Sequence, residues 1–154
     1  MPIHTVLGAI DARELGATSM HEHCLIDARV WYTPPRENPP EDPRMTIENL
    51  GFVRWNLVSL EDNLVMDDPD LAISELKAVR DHGGSGIVDL TVVGIGRRVA
   101  ELPRISAESG LHIMVGCGFY IHASHPEWVA GASVDDLVEV IVGELEEGID
   151  GTSV

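Results

Sequence analysis

The sequence predicts a parallel α/β fold, on three observations. Gly86–Val93 and Leu111–Gly118 are mostly apolar runs of strand length, as in strands covered on both faces. Segments with helical spacing alternate with them. Glycine and proline mark the joints, among them Gly83-Gly84, Pro103 and Gly110. Such strands, alternating with helices, form a parallel sheet through right-handed crossovers.

In chain order, Ile3–Val6 and Gly8–Asp11 read as short extended pieces of an N-terminal hairpin within residues 1–17. Thr18–Ile26 reads as the first buried strand and opens residues 18–154, which carry strands one to three with their helices. Between Trp31 and Arg44 five prolines stand among charged residues, which is loop chemistry. Residues 46–66 leave room for one short helix. Asp68-Pro69-Asp70 then supplies an N-cap, a proline at the first helical position and an acid in the first turn. Ala72, Leu76 and Val79 follow on one face, and Gly83-Gly84 ends that helix. A second helix starts near Glu101, tolerates Pro103 in its first turn and closes at Gly110. Ser133-x-x-Asp136 is shaped like a capping box; Val134, Leu137, Val138, Ile141 and Leu145 form the apolar face of a third helix, stopped by Gly148. Three βα units leave open sheet edges, so a partner half is expected from another chain or from a longer protein, and a homodimer is one way to cover those edges.

The 154 residues hold 10 Lys+Arg against 26 Asp+Glu, a formal net charge of −16. A surface this acidic repels phosphate backbones, so no nucleic-acid partner is expected. No apolar run approaches the roughly 20 residues of a membrane span, and Met-Pro-Ile-His-Thr does not begin a secretory signal. The two cysteines, Cys24 and Cys117, lie far apart in strand-like segments, which is not a disulfide framework, so a reducing cytoplasm is the expected compartment.

The chemistry is carried by His21-Glu22-His23. On a strand, residues i and i+2 share a face, so the two imidazoles converge while Glu22 turns away. Paired neutral imidazoles suit Zn, Mn, Co or Fe, given further His or carboxylate ligands. The alternative is a pair of buried, hydrogen-bonded histidines with no metal. In a parallel barrel, catalytic groups collect at the C-terminal ends of the strands, where this pair falls.

Gly16-x-Thr18-x-Met20-His21-Glu22-His23 on a first strand resembles the signature of the phosphotriesterase family, the metal-dependent hydrolases of the amidohydrolase superfamily. The resemblance continues through Gly83-Gly84-x-x-Ile87-Val88-Asp89-x-Thr91, Gly94-Ile95-Gly96-Arg97, Ile105–Gly110 and Gly116–Tyr120, in order over nearly the whole chain. It implies a (β/α)8 TIM barrel with a two-metal centre at its mouth, acting on phosphotriester, lactone or carboxylic ester bonds through metal-activated water. In the family the His-x-His pair holds the more buried metal. A carboxylated Lys or a Glu on strand four bridges the metals, two later histidines hold the second, and an Asp on strand eight accepts a proton. Only His21 and His23 carry over; the other positions would lie beyond residue 154. The sole lysine, Lys77, sits on the first helix and cannot be the bridge. A barrel of this type needs roughly 250 residues, so the chain is read as its N-terminal portion, inactive alone, with no catalytic acid or base assigned. The alternative from another class is a non-catalytic, ligand-binding relative. Ser19 and Cys24 stand where the family usually has apolar residues, and Arg98 where an Asp is common.

Three further residues are candidates for the site. Asp89, at the end of strand two, could accept the outer N–H of a ligand imidazole, or could simply order a loop. Tyr120 and Trp31, on loops over the mouth, could wall a pocket for a small-molecule ester, lactone or organophosphate, or could merely cover the core. Gly94-x-Gly96 lacks the third glycine of a dinucleotide loop and is followed by Arg97-Arg98, which argues against nucleotide binding.

Overall fold

The computed structural model describes residues 2–154. At the N-terminus β1 (Pro2–Thr5) and β2 (Gly8–Asp11) form an antiparallel hairpin. β3 (Ala17–Glu22) follows, then β4 (Ile26–Asp27), which pairs antiparallel with β5 (Val65–Met66). Between β4 and β5 lies the proline-rich loop, with one short helix, α1 (Leu50–Trp55). Helix α2 (Pro69–Asp81) leads to β6 (Gly84–Asp89), and α3 (Leu102–Ser109) leads to β7 (His112–Val115). Helix α4 (Val134–Glu146) comes last. The main sheet is parallel in the order β3-β6-β7, with β6 in the middle.

Local chemistry explains the helix ends. The Asp68 carboxylate accepts the Asp70 and Leu71 N–H groups at the start of α2, with Pro69 behind it. At α4 the Ser133 hydroxyl accepts the Asp136 N–H while the Asp136 carboxylate accepts the Ser133 N–H, a complete capping box. The core lies between the sheet and α2 and α3: Ile73, Ile87, Ile105, Leu111 and Ile113 are all buried, and the loop residue Val6 closes it from the hairpin side, its N–H bonded to the Ile113 carbonyl.

Two expectations need correction. The first strand ends at Glu22 and does not run to Ile26. The pairing with β6 shifts register between Ser19 and Glu22, and the Cys24 N–H is taken by the Asp89 carboxylate at 3.0 Å in place of a strand carbonyl, so the backbone turns at His23. The helix faces also differ. On α2 Ala72 and Leu76 pack against the core beside the buried Ile73, and only Val79, 40% exposed, departs from the expected face; on α4 no residue is fully buried, and Val134, Val138 and Leu145 are all exposed. The apolar spacing is there, but among the described residues no strand lies beyond β7 for α4 to cover.

Candidate metal centre

The C-terminal ends of the three parallel strands surround a cavity of about 270 Å³. His21 from β3 and His23 just past it line one side; Leu90, Val92 and Ile95 from the segment after β6 line another; Trp31, Phe119 and Tyr120 close it. The structure therefore brings together four residues that the sequence marked: His21 on β3, His23 just past it, and Trp31 and Tyr120 on two separate loops. The His21 and His23 ring centroids are 5.7 Å apart and nearly perpendicular. Trp31, on a single helical turn at Arg29–Trp31, packs on Tyr120 with centroids 5.6 Å apart.

His23 is held by a residue the sequence did not single out for that task. Its Nδ1 lies 2.9 Å from the Thr91 hydroxyl, which is itself 3.1 Å from the Leu25 carbonyl. Thr91 has one hydroxyl hydrogen and Leu25 can only accept it, so both contacts are hydrogen bonds only if His23 Nδ1–H donates. That tautomer leaves the Nε2 lone pair free, as a metal ligand requires. Burial pushes the His23 imidazolium pKa below its ordinary value, opposed in part by the Asp89 charge, which keeps the ring neutral near pH 7.

Asp89 stands one link behind. It is 1% exposed, and its two oxygens accept the Cys24 N–H and the Thr91 N–H at 3.0 and 2.8 Å. The direct bond to an imidazole considered from sequence is therefore made by Thr91, and Asp89 fixes the backbone on both sides of the His23–Thr91 contact. Cys24 faces away from the cavity, into the groove behind β3. Burial, reinforced by the Asp89 charge, pushes its thiol pKa far up, so it remains a neutral thiol.

The glycines after β6 serve packing. At Gly94 and Gly96 φ is positive, and a Cβ would strike the Ser124 carbonyl at the first and come within 2.6 Å of the Asp27 backbone at the second. They let the three loops of the mouth lie against one another. Arg97 pins the same segment from below: its guanidinium is 5% exposed and bonds Glu144 of α4 and Asp150 beyond it.

Two imidazoles, with the Nε2 lone pair of His23 left free, suit one side of a metal site. Among the described residues no group of three or more His, Cys, Asp or Glu lies close enough to hold a metal by itself. None of the described helices is long and apolar enough to cross a membrane.

Comparisons with known proteins follow the same outline. A model of the phosphotriesterase family matches residues 1–154. N-acetyltaurine hydrolase of Tetraodon nigroviridis is 36% identical over 156 residues, covering 99% of this chain and 44% of that protein. A resiniferatoxin-binding protein from Rhodobacter sphaeroides superposes with a TM-score of 0.93 at 43% identity, over 99% of this chain and 44% of its own. A lactonase from Listeria monocytogenes gives 0.73 at 27% identity, over 99% and 44%. The chain thus spans less than half the length of the relatives it matches, and its three βα units correspond to part of a TIM barrel.

Proposed function

The chain belongs to the phosphotriesterase family, and from that premise we propose that it supplies the first-metal side of a hydrolase centre acting on neutral esters, lactones or phosphotriesters. His21 and His23 would hold a divalent ion through Nε2, zinc first, with Mn, Co or Fe as alternatives. When bound, such an ion supplies water activated at neutral pH and polarises the C=O or P=O under attack. Thr91 holds the His23 ring in the required tautomer. Trp31 and Tyr120, with Phe119 and the aliphatic side chains after β6, receive the body of the substrate and keep bulk water from it. The remaining ligands and the proton acceptor belong to the part of a full barrel that these residues do not include.

The observation that carries the reading is a pair of imidazoles in an otherwise apolar wall with no Lys or Arg in its lining. A wall without a cation suits neutral substrates. N-acetyltaurine, the substrate named for the curated relatives, would need a partner for its sulfonate from outside these residues. A second reading, a ligand-binding relative without hydrolysis, is favoured by the 43%-identical protein described as binding resiniferatoxin.

The test grafts residues 1–154 onto the remainder of the Rhodobacter protein and assays an aryl ester, a lactone, a phosphotriester and N-acetyltaurine. The reading expects zinc-dependent hydrolysis of a neutral substrate, falling about a hundredfold or more in His21→Ala. A folded, zinc-loaded graft that binds but hydrolyses none of them supports the second reading instead.

A further inference from the structure

The segment between β6 and α3 is anchored by charge at both ends, and the two anchors hold different things. At the near end the buried Asp89 carboxylate takes the Cys24 and Thr91 N–H groups, which fixes the contact between Thr91 and His23. At the far end the Arg97 guanidinium, 5% exposed, donates from Nε and Nη2 to the two Asp150 oxygens at 3.0 and 2.8 Å. The same Nη2 donates to Glu144 at 2.6 Å. Between the anchors lie Leu90, Val92 and Ile95, the aliphatic wall of the cavity. Ile95 is 1% exposed, and its carbonyl accepts the N–H of Asp27 at 3.1 Å, on the strand that leads into the turn carrying Trp31. Every one of these contacts is internal to the chain.

We propose that Arg97 is a positioning residue for the substrate: by clamping the far end of this segment to Glu144 and Asp150 it sets the shape of the aliphatic wall, and so which neutral acyl or aryl group the cavity accepts, without acting on the imidazole pair. Desolvating an Arg and a carboxylate costs about what their attraction returns, so such a network contributes little net stability. What it supplies is geometry, because a planar fork held by carboxylates on two sides sits in one place. The wall needs that hold: Gly94 and Gly96, both at positive φ, have no side chains with which to fix the segment by packing. Without the guanidinium, Glu144 and Asp150 are left as two carboxylates that shared one Nη2, with Glu144 only 12% exposed, and they repel. Ile95 then loses its backing, and the Asp27 bond that joins the wall to the Trp31 loop loosens with it. The substrate in this proposal rests on the hydrolase reading, whereas the clamp rests on the contacts alone.

The test compares Arg97→Gln with Arg104→Gln, which removes an exposed cation elsewhere, and with Asp150→Asn, which removes a half-exposed carboxylate of the clamp. In native-state hydrogen exchange of the whole chain, Arg97→Gln should speed exchange of the Asp27 N–H about tenfold or more while the Cys24 and Thr91 N–H groups keep their wild-type protection. Asp150→Asn should give a smaller rise in the same direction, and it carries the same test if loss of the buried cation prevents folding. Arg104→Gln should give none. Zinc affinity of Arg97→Gln should stay within about twofold of the wild type. In the graft onto the Rhodobacter protein, KM for the neutral ester (or its dissociation constant, if the graft binds without turnover) should rise about tenfold with kcat little changed. A wild-type graft that neither binds nor hydrolyses the ester removes the substrate half of the proposal together with the hydrolase reading, and the Asp27 exchange still decides the clamp. Equal acceleration at Asp27, Cys24 and Thr91 means a general loss of stability and overturns the proposal, as does an unmoved Asp27 or a fall in kcat at constant KM.

Discussion

Helices α2 and α4 are both 13 residues long and both begin with a side-chain cap, yet they differ in what they bury. α2 places Ile73 in the core against Ile87 and Ile105, whereas α4 fully buries no residue, holding Leu137 and Ile141 half-buried and leaving Val134, Val138 and Leu145 in water. The difference teaches that caps and period specify that a helix forms, while burial depends on a sheet being present to receive it. β6, flanked by a strand on each side, is the well-supported centre; among the described residues no strand pairs with the outer side of β3 or β7. The candidate site sits over that centre, and its side chains inherit the order.

This contrast can be broken at its strong side first. Asp89→Ala strips two buried backbone N–H groups of a charged acceptor and should cost about 3 kcal/mol or more in denaturant unfolding. Ile113→Ala, which empties a fully buried position at the middle of the core, should cost about 3 kcal/mol. Thr91→Val keeps the shape but removes the hydroxyl that orients His23. It should leave most of the fold intact and weaken zinc binding about ten- to a hundredfold in a competition titration. Acid gives a smaller effect. The lowered folded-state pKa of His23 means that the unfolded chain takes up that proton first. The group's contribution is thus fully present above the ordinary histidine value of about 6.5 and declines as pH falls from there toward the folded value. Melting curves of the wild type and His23→Gln should therefore converge below that pH. On the weak side, Val138→Ala on α4 should change stability by about 0.5 kcal/mol or less.

The sequence made legible what short-range chemistry decides. Asp68-Pro69 and Ser133-x-x-Asp136 marked two helix starts, and His21-Glu22-His23, with aromatic residues on later loops, marked the wall of the cavity. It did not reveal contacts that join distant positions. Thr91 meets His23 across 68 residues and Asp89 meets Cys24 across 65, and no local pattern distinguishes a threonine that will hold an imidazole from one that will not. The early end of β3 was hidden for the same reason: the apolar run continues, but a carboxylate on the neighbouring strand captures the N–H that would have extended the ladder. Burial of α4 was over-read because periodicity reports a face and not what lies opposite it.

The pairing of His21 with a Thr91-oriented His23 is tested most directly by an imidazole nitrogen NMR titration of the 154-residue chain with zinc. His23 should be the Nδ1–H tautomer before metal is added. The Nε2 signals of His21 and His23 should move together and ahead of those of His122 and His125, whose rings lie 5.8 Å apart on the loop after β7, and His21→Ala should abolish the effect. A His23 protonated at Nε2, or zinc taken up first by the other histidines, would contradict it.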